Sequence, residues 1–339
     1  MPARRAHHEV RDDASRRRMG TTTMAVSCPL HTSVSALPFH RTHIPHGKSD
    51  PMNETPAPTR KPRDDEIDRF GLSHIGKVRK DNQDHFLIAS IHKRIDVIDT
   101  NLDVTGRITV GDQRLANIVM VADGVGGGTG GAEASAMALE VAMEYVNNSM
   151  AVYYGAQSDA TQFMELLQSA AMRAHEAVLD RRTERAVKGT MATTLTLYIG
   201  VWPTYYLMQV GDSRYYLWRD GKLMQVTRDQ TMAQDLVDDG VLTRAAAART
   251  PMANILSSAI GANTTAPVVT RLEADWHNVH LLCSDGLTKH VSDERIAEVL
   301  AGMTSAKQAC EQLLQDALDG GGTDNITVIV GRTVAKEPG

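Results

Sequence analysis

The sequence predicts an α+β protein built on antiparallel sheets, and three observations carry that prediction. Apolar strand-like runs follow one another in groups rather than alternating singly with helices. Several of these runs are rich in β-branched and aromatic residues and are separated by turn signals such as Arg219-Asp220-Gly221. Amphipathic helical stripes lie between the groups.

In chain order, strands are expected at 86–91, 118–121, 195–201, 205–210, 215–218, 279–283 and 326–330. The last alternates cleanly, with Ile326, Val328 and Val330 on one face. A helix is expected over 132–146, after the glycines 126–128, which permit a tight strand-to-helix turn. Those glycines lack the Lys-Ser/Thr ending of a phosphate-binding P-loop and do not lead a βαβ unit. Phe163, Leu166, Leu167, Ala170, Ala171, Ala174 and Val178 recur at helical spacing and predict a second helix. Ala306, Ala309, Cys310, Leu313, Leu314 and Ala317 predict a third, opened by Ser305 and Gln308 at capping-box spacing. Cys310 on that stripe reads as a small core hydrophobe. There are no internal repeats.

Composition divides the chain in two. Residues 1–63 hold eleven Lys/Arg against five Asp/Glu and six of the thirteen histidines, without periodicity, and are expected to be a disordered extension. His7, His8, His40, His43 and His46 show no i, i+4 pair that would suggest a metal site, and Glu9, Asp12 and Asp13 argue against a transit peptide. Met52 opens a short charged segment leading into ordered sequence, so the extension also reads as a misassigned start. Residues 64–334 form the expected domain, 335–339 a tail. The remainder of the chain carries 25 basic against 36 acidic residues, which argues against a nucleic-acid groove and suits the collection of cations. Three widely spaced cysteines, no signal peptide and no membrane-length apolar run point to a cytoplasmic protein without disulfides.

Four aspartates sit at strand ends beside glycine, serine or asparagine: Asp123 in Val121-Ala122-Asp123-Gly124, Asp212 in Val210-Gly211-Asp212-Ser213, Asp285 in Cys283-Ser284-Asp285-Gly286, and Asp324 in Thr323-Asp324-Asn325-Ile326. A single Asp-Gly is most simply a turn. Four such corners brought to one end of a sheet would repel unless cations lay among them. Oxygen donors without cysteine or histidine favour Mg²⁺ or Mn²⁺ over Zn²⁺.

The ordered motifs together resemble the protein phosphatase 2C family of metal-dependent serine/threonine phosphatases, in its bacterial form. They are Gly76-Lys77-Val78-Arg79-Lys80-Asp81-Asn82-Gln83-Asp84, Ala122-Asp123-Gly124-Val125-Gly126-Gly127, Gly189-Thr190 with Ala192-Thr193-Thr194-Leu195, Gly211-Asp212-Ser213-Arg214, Ser284-Asp285-Gly286-Leu287 and Gly322-Thr323-Asp324-Asn325-Ile326-Thr327. The resemblance covers about 71–330. It implies a central sandwich of two antiparallel sheets flanked by helices on both outer faces. It further implies hydrolysis of phosphoserine and phosphothreonine by a water activated between two divalent metals, Mn²⁺ or Mg²⁺, with a third possible.

Carried onto this chain, Asp123 is expected to bridge both metals, Gly124 to lend its carbonyl, and Asp285 and Asp324 to complete the other position. Asp212 with Asp285 matches a third metal site. Asp84 is expected to hold metal waters, Arg79 to bind phosphate, and 231–249, with Asp235, Asp238 and Asp239, to form a flap beside the site. Cys283 and Ser284 are not nucleophile candidates. The implied partners are phosphoprotein substrates and a serine/threonine kinase of bacterial type, for a monomer that binds neither nucleic acid nor membrane.

The chain departs from the pattern at Gln83, often Glu; at Val125 and Gly128, where a histidine is common; and over 250–256, where His and Arg are frequent. Two other readings fit the same residues: an inactive relative that binds partners, and a metal-binding module without hydrolysis.

Overall fold

The computed structural model describes residues 60–93, 113–126, 129–153, 160–186 and 189–336. The His-rich extension up to residue 59, Gly127, Gly128 and the end of the tail lie outside the described residues.

The chain runs β1 (Ile67–His74), β2 (Asp84–Lys93), β3 (Gln113–Val125), α1 (Gly130–Tyr153), α2 (Ala160–Glu184), β4 (Ala192–Thr193), β5 (Leu195–Val201), β6 (Thr204–Val210), β7 (Arg214–Arg219) and β8 (Lys222–Gln225). It continues through α3 (Met232–Asp238), α4 (Arg244–Ala247), β9 (Val268–Glu273), β10 (Val279–Cys283), α5 (Asp285–Thr288), α6 (Asp293–Ala301), α7 (Ala306–Asp319) and β11 (Ile326–Thr333). One sheet has the order β1-β11-β10-β7-β8; the other has β2-β3-β5-β6-β9, with β4 added beside β3. Every pairing is antiparallel. The α+β expectation and the two-sheet sandwich both hold.

Alternation of side chains sorts each strand between two cores. Ile118, Met120, Ala122, Leu195, Leu197 and Ile199 pack with the stripe of α2 and with Ala134, Ala138 and Ala142 of α1. All seven apolar positions predicted for α2 are buried. On the other sheet Ile326, Val328 and Val330 pack with Leu281, Cys283 and the buried face of α7, Cys310 included. Thr327 and Ile329 are buried as well, because the opposite face of β11 is turned toward the other sheet. Tyr198 and Tyr215, one from each sheet, meet between the layers with ring centroids 5.8 Å apart. The capping box of α7 is only half made. Ser305 Oγ accepts from Gln308 N, but Gln308 Oε1 accepts from Thr304 N, one residue too early.

The body also reaches into the segment assigned to the extension. Arg60 pairs with buried Glu66, and its carbonyl accepts from Trp276 Nε1 3.1 Å away. The Pro62 carbonyl accepts from Arg114. Basic composition alone did not separate these four residues, 60–63, from those before them.

Candidate active site

The strand ends named above meet at one end of the sandwich, around a cleft of about 770 Å³. Asp123 ends the apolar part of β3, and its backbone is pinned there by threonines. Its N–H donates to Thr194 Oγ1, and its carbonyl accepts from Thr193 Oγ1 and Thr194 N. Thr194 Oγ1 shares a hydrogen bond with Ser213 Oγ at 2.9 Å, which ties the Asp123 corner to the loop carrying Asp212. Gly124 follows because a Cβ there would stand 2.4 Å from the Gly131 carbonyl; the start of α1 closes directly over the chain. Gly286 is required in the same way, since a Cβ would meet the Asn325 carbonyl at 1.9 Å. That close approach brings Asp285, on the first turn of α5, beside Asp324.

Asn325 holds the remaining wall. Its Oδ1 accepts from Gln83 N, and its Nδ2 donates to the carbonyls of Ile75 and Asp81. The loop bearing Arg79 is thereby fastened to the start of β11. Asp84 lies under the cleft, only 4% exposed. Its Oδ2 accepts from Ser284 Oγ and Thr327 Oγ1, both at 2.7 Å, while its Oδ1 is buried without a partner.

Charge is strongly unbalanced here. Asp81, Asp123, Asp212, Asp285 and Asp324 line the cleft above Asp84, against Arg79, Lys80 and Lys289. Asp84 and Asp123 stand directly opposite each other in the β2–β3 register, where like charges destabilise a sheet. Burial pushes the Asp123 carboxyl well above the usual range, reinforced by Asp84 and then Asp285. Burial likewise raises Asp84 to about 6 and Asp212 to about 8, the latter with help from Asp285. Asp324 goes the other way despite its burial, held down by Arg79 and Lys289. Arg79 grips it with two donors, Nε to Oδ1 at 2.7 Å and Nη2 to Oδ2 at 2.8 Å.

Hard oxygen donors in excess, a buried orphan oxygen on Asp84 and another on Asp285 are what divalent cations satisfy. The residues present fit such ions. They do not form a closed cage: among the described residues no group of three His, Cys, Asp or Glu is drawn together tightly enough to hold an ion as it stands. Asp285 and Asp324 instead share Lys289.

Arg79, Asp123, Gly124, Asp212, Asp285 and Asp324 line the cleft, and Asp84 lies opposite Asp123 in the adjoining strand. The flap carboxylates Asp235 and Asp238 turn to Arg228 rather than to the cleft, which is lined instead by Asn254, Ile255, Leu256, Ser257 and Ser258. Burial lifts the Cys283 thiol to about 12, so it supplies no thiolate. Sequence reasoning missed the hydroxyls of Thr194, Ser284 and Thr327 and the ammonium of Lys289. The first three lie within the motifs that carry the aspartates, where a hydroxyl's partner is not visible in the sequence.

The raised carboxylates set a pH dependence. Their folded values lie above the ordinary 3.8, so between about pH 4 and pH 8 the native state holds more protons than the unfolded chain, and stability falls as pH rises. For Asp84 alone the shift amounts to on the order of 3 kcal/mol, or roughly 6–12 °C of melting temperature. Metal-stripped protein should therefore melt lower at pH 8 than at pH 5, and Mn²⁺ should erase the decline. A flat or rising profile without metal would contradict the site's charge balance.

Fold and cleft together define a class: a two-sheet sandwich, helix-covered on both outer faces, with a carboxylate-lined cleft at one end. The family model for protein phosphatase 2C matches residues 100–320. The chain is 35% identical over 226 residues to the serine/threonine protein phosphatase PstP of Mycobacterium tuberculosis, a match covering 66% of this chain and 42% of that protein. It is 32% identical over 214 residues to the serine/threonine phosphatase stp of Listeria monocytogenes, covering 63% and 83%. The crystal structure of PstP/Ppp superposes with a TM-score of 0.63 at 29% identity, covering 79% of this chain and 99% of that one. A second PstP structure, of the catalytic domain in complex with two manganese ions, gives 0.61, again at 29% identity and covering 79% and 99%. The chain belongs to the protein phosphatase 2C family. Its match spans less than half the length of PstP.

Proposed function

We propose that this protein is a metal-dependent phosphatase that hydrolyses phosphoserine and phosphothreonine in proteins, opposing a serine/threonine kinase of bacterial type in the cytoplasm. The observation that carries the reading is the convergence of Asp123, Asp212, Asp285 and Asp324 on one cleft, with Asp84 directly opposite Asp123. The family relationship and the manganese ions bound by PstP support it. No described helix is long and apolar enough to cross a membrane.

Asp123 and the Gly124 carbonyl would hold the shared side of a two-metal centre, Asp285 and Asp324 the other side, and Asp212 with Asp285 a third position. Bound there, divalent cations lower the pKa of an attacking water and offset charge on the transferring phosphoryl group. Arg79 would orient that group: Asp324 engages its Nε and Nη2, and its Nη1 would donate to a phosphoryl oxygen. The unpartnered Oδ1 of Asp84 would accept from a water held beside the metals.

The test is release of phosphate from a phosphothreonine peptide by the full chain. Turnover should require Mn²⁺ or Mg²⁺ and vanish with chelator. Metal binding without turnover on any phosphopeptide would favour a binding module instead. Asp212→Ala should lower turnover while a calorimetric titration still shows the two principal metals bound; loss of all metal binding would place Asp212 among the principal ligands.

A further inference from the structure

Lys289 Nζ lies 2.5 Å from Asp285 Oδ2 and 2.7 Å from Asp324 Oδ2. It directly follows α5, four residues after Asp285, so one helical turn carries the ammonium back over that carboxylate. Asp324 arrives from the separate loop before β11. A single positive charge thus spans two carboxylates from different segments, the relation those carboxylates would have to a shared divalent ion. Asp324 is saturated as it stands. Its Oδ1 accepts from Arg79 Nε and Asn325 N, and its Oδ2 from Arg79 Nη2 and Lys289 Nζ. Among the described residues no such ion pair reaches Asp84, Asp123 or Asp212, so the cleft is neutralised on one side only.

We propose that Lys289 is a tethered cation that competes with divalent metal for the Asp285–Asp324 side, making the principal metal positions unequal in affinity. The inference rests on the metal-dependent reading above. An ammonium needs its acceptors at hydrogen-bond distance, whereas Mg²⁺ draws oxygens to roughly 2.0–2.1 Å, so the two cannot share one apex. Lysine's flexible four-carbon stem lets the ammonium withdraw when an ion enters. Its side chain is 30% exposed, so it has solvent to withdraw into. The Asp123 side meets no such competitor and fills first. The Asp285–Asp324 side fills only at the metal concentration that displaces the lysine.

The experiment is calorimetric titration of Mn²⁺ into the full chain after chelation, comparing wild type with Lys289→Met and Lys289→Arg. Wild type should show one tight and one weak step. Lys289→Met should tighten the weak step at least tenfold and leave the tight one in place, while Lys289→Arg, which keeps the charge, should stay near wild type. A second readout is thermal melting, with and without metal. Stripped Lys289→Met should melt below stripped wild type, because two carboxylates lose their shared counter-ion, and should overtake it once Mn²⁺ is added. Lys289→Gln, with a polar end, serves as a further variant if the apolar one disturbs the fold. Unchanged or weaker Mn²⁺ binding in folded Lys289→Met overturns the competition while leaving the metal-dependent reading intact. Failure of wild type and variant alike to bind Mn²⁺ would remove that reading, and this inference with it.

Discussion

Asp123→Asn is expected to reduce turnover at least a hundredfold at saturating Mn²⁺ while leaving the metal-stripped protein as stable as wild type or more so. The two effects share one cause. Asp123 stands across the β2–β3 pair from Asp84, and burial together with that neighbour penalises its charge. An amide of the same shape removes the repulsion and can donate to Asp84. The same amide cannot supply the negative charge that two cations would share, and metals at such sites contribute several kcal/mol to phosphoryl transfer, tenfold in rate for each 1.36. Steady-state turnover on a phosphothreonine peptide and melting with chelator measure the two halves. A variant that retains more than about a tenth of wild-type activity would overturn the bridging assignment. A variant that loses activity and also melts much lower would have failed by misfolding.

The sandwich was legible where strands are apolar on both faces, and hidden where they are not. The expected strands at 195–201 and 279–283 coincide with β5 and β10, both largely buried. β1 escaped notice because Asp68, Arg69 and Gly71 interrupt its apolar run. The reason for Gly71 is visible only in three dimensions: a Cβ would come within 3.0–3.1 Å of Phe86, Ile88 and Ile329, so the glycine lets the two layers close. β9 lies at a sheet edge with Leu272 its one buried side chain, too little for a periodic signal. α6, nine residues long, buries only Ile296, Val299 and Leu300.

The strand-end carboxylates that line the cleft were legible in the sequence, because a carboxylate beside a glycine at a strand end is a local feature. What could not be read is which partner each carboxylate takes. Asp285 and Lys289 at i, i+4 look like an ordinary solvated helix pair, and nothing local shows that Asp324 completes a bridge 35 residues further on. Asp235 and Asp238 were expected in a flap beside the site, yet Arg228, seven and ten residues earlier, claims both.

The second large effect concerns the departing alkoxide. No histidine lines the cleft among the described residues; Val125 does, and Gly128 lies outside them. The nearby histidines are engaged elsewhere. His85 Nδ1 meets Ser135 Oγ at 2.8 Å, His74 Nδ1 accepts from Gly76 N, and His290 Nε2 lies within 3.0 Å of both Thr323 Oγ1 and Thr323 N. His280 is half-buried beside Tyr215, and loss of solvent around its ring lowers it to about 4. An aryl oxide leaves without help, whereas a serine or threonine alkoxide leaves poorly unless protonated, and a positioned general acid typically contributes 10²–10⁴-fold. With water as the proton source, turnover should fall steeply as the leaving group's pKa rises across a series of phosphate monoesters. Changing His74, His85, His92, His175, His277, His280 or His290 to glutamine, one at a time, should alter phosphopeptide and aryl phosphate turnover in parallel. His290 is the most searching case, because Thr323 adjoins Asp324. If His290→Gln loses about a hundredfold on the peptide and nothing on the aryl ester, the size of a lost general acid, then His290 turns from Thr323 toward the leaving group during turnover, and the proton does not come from water.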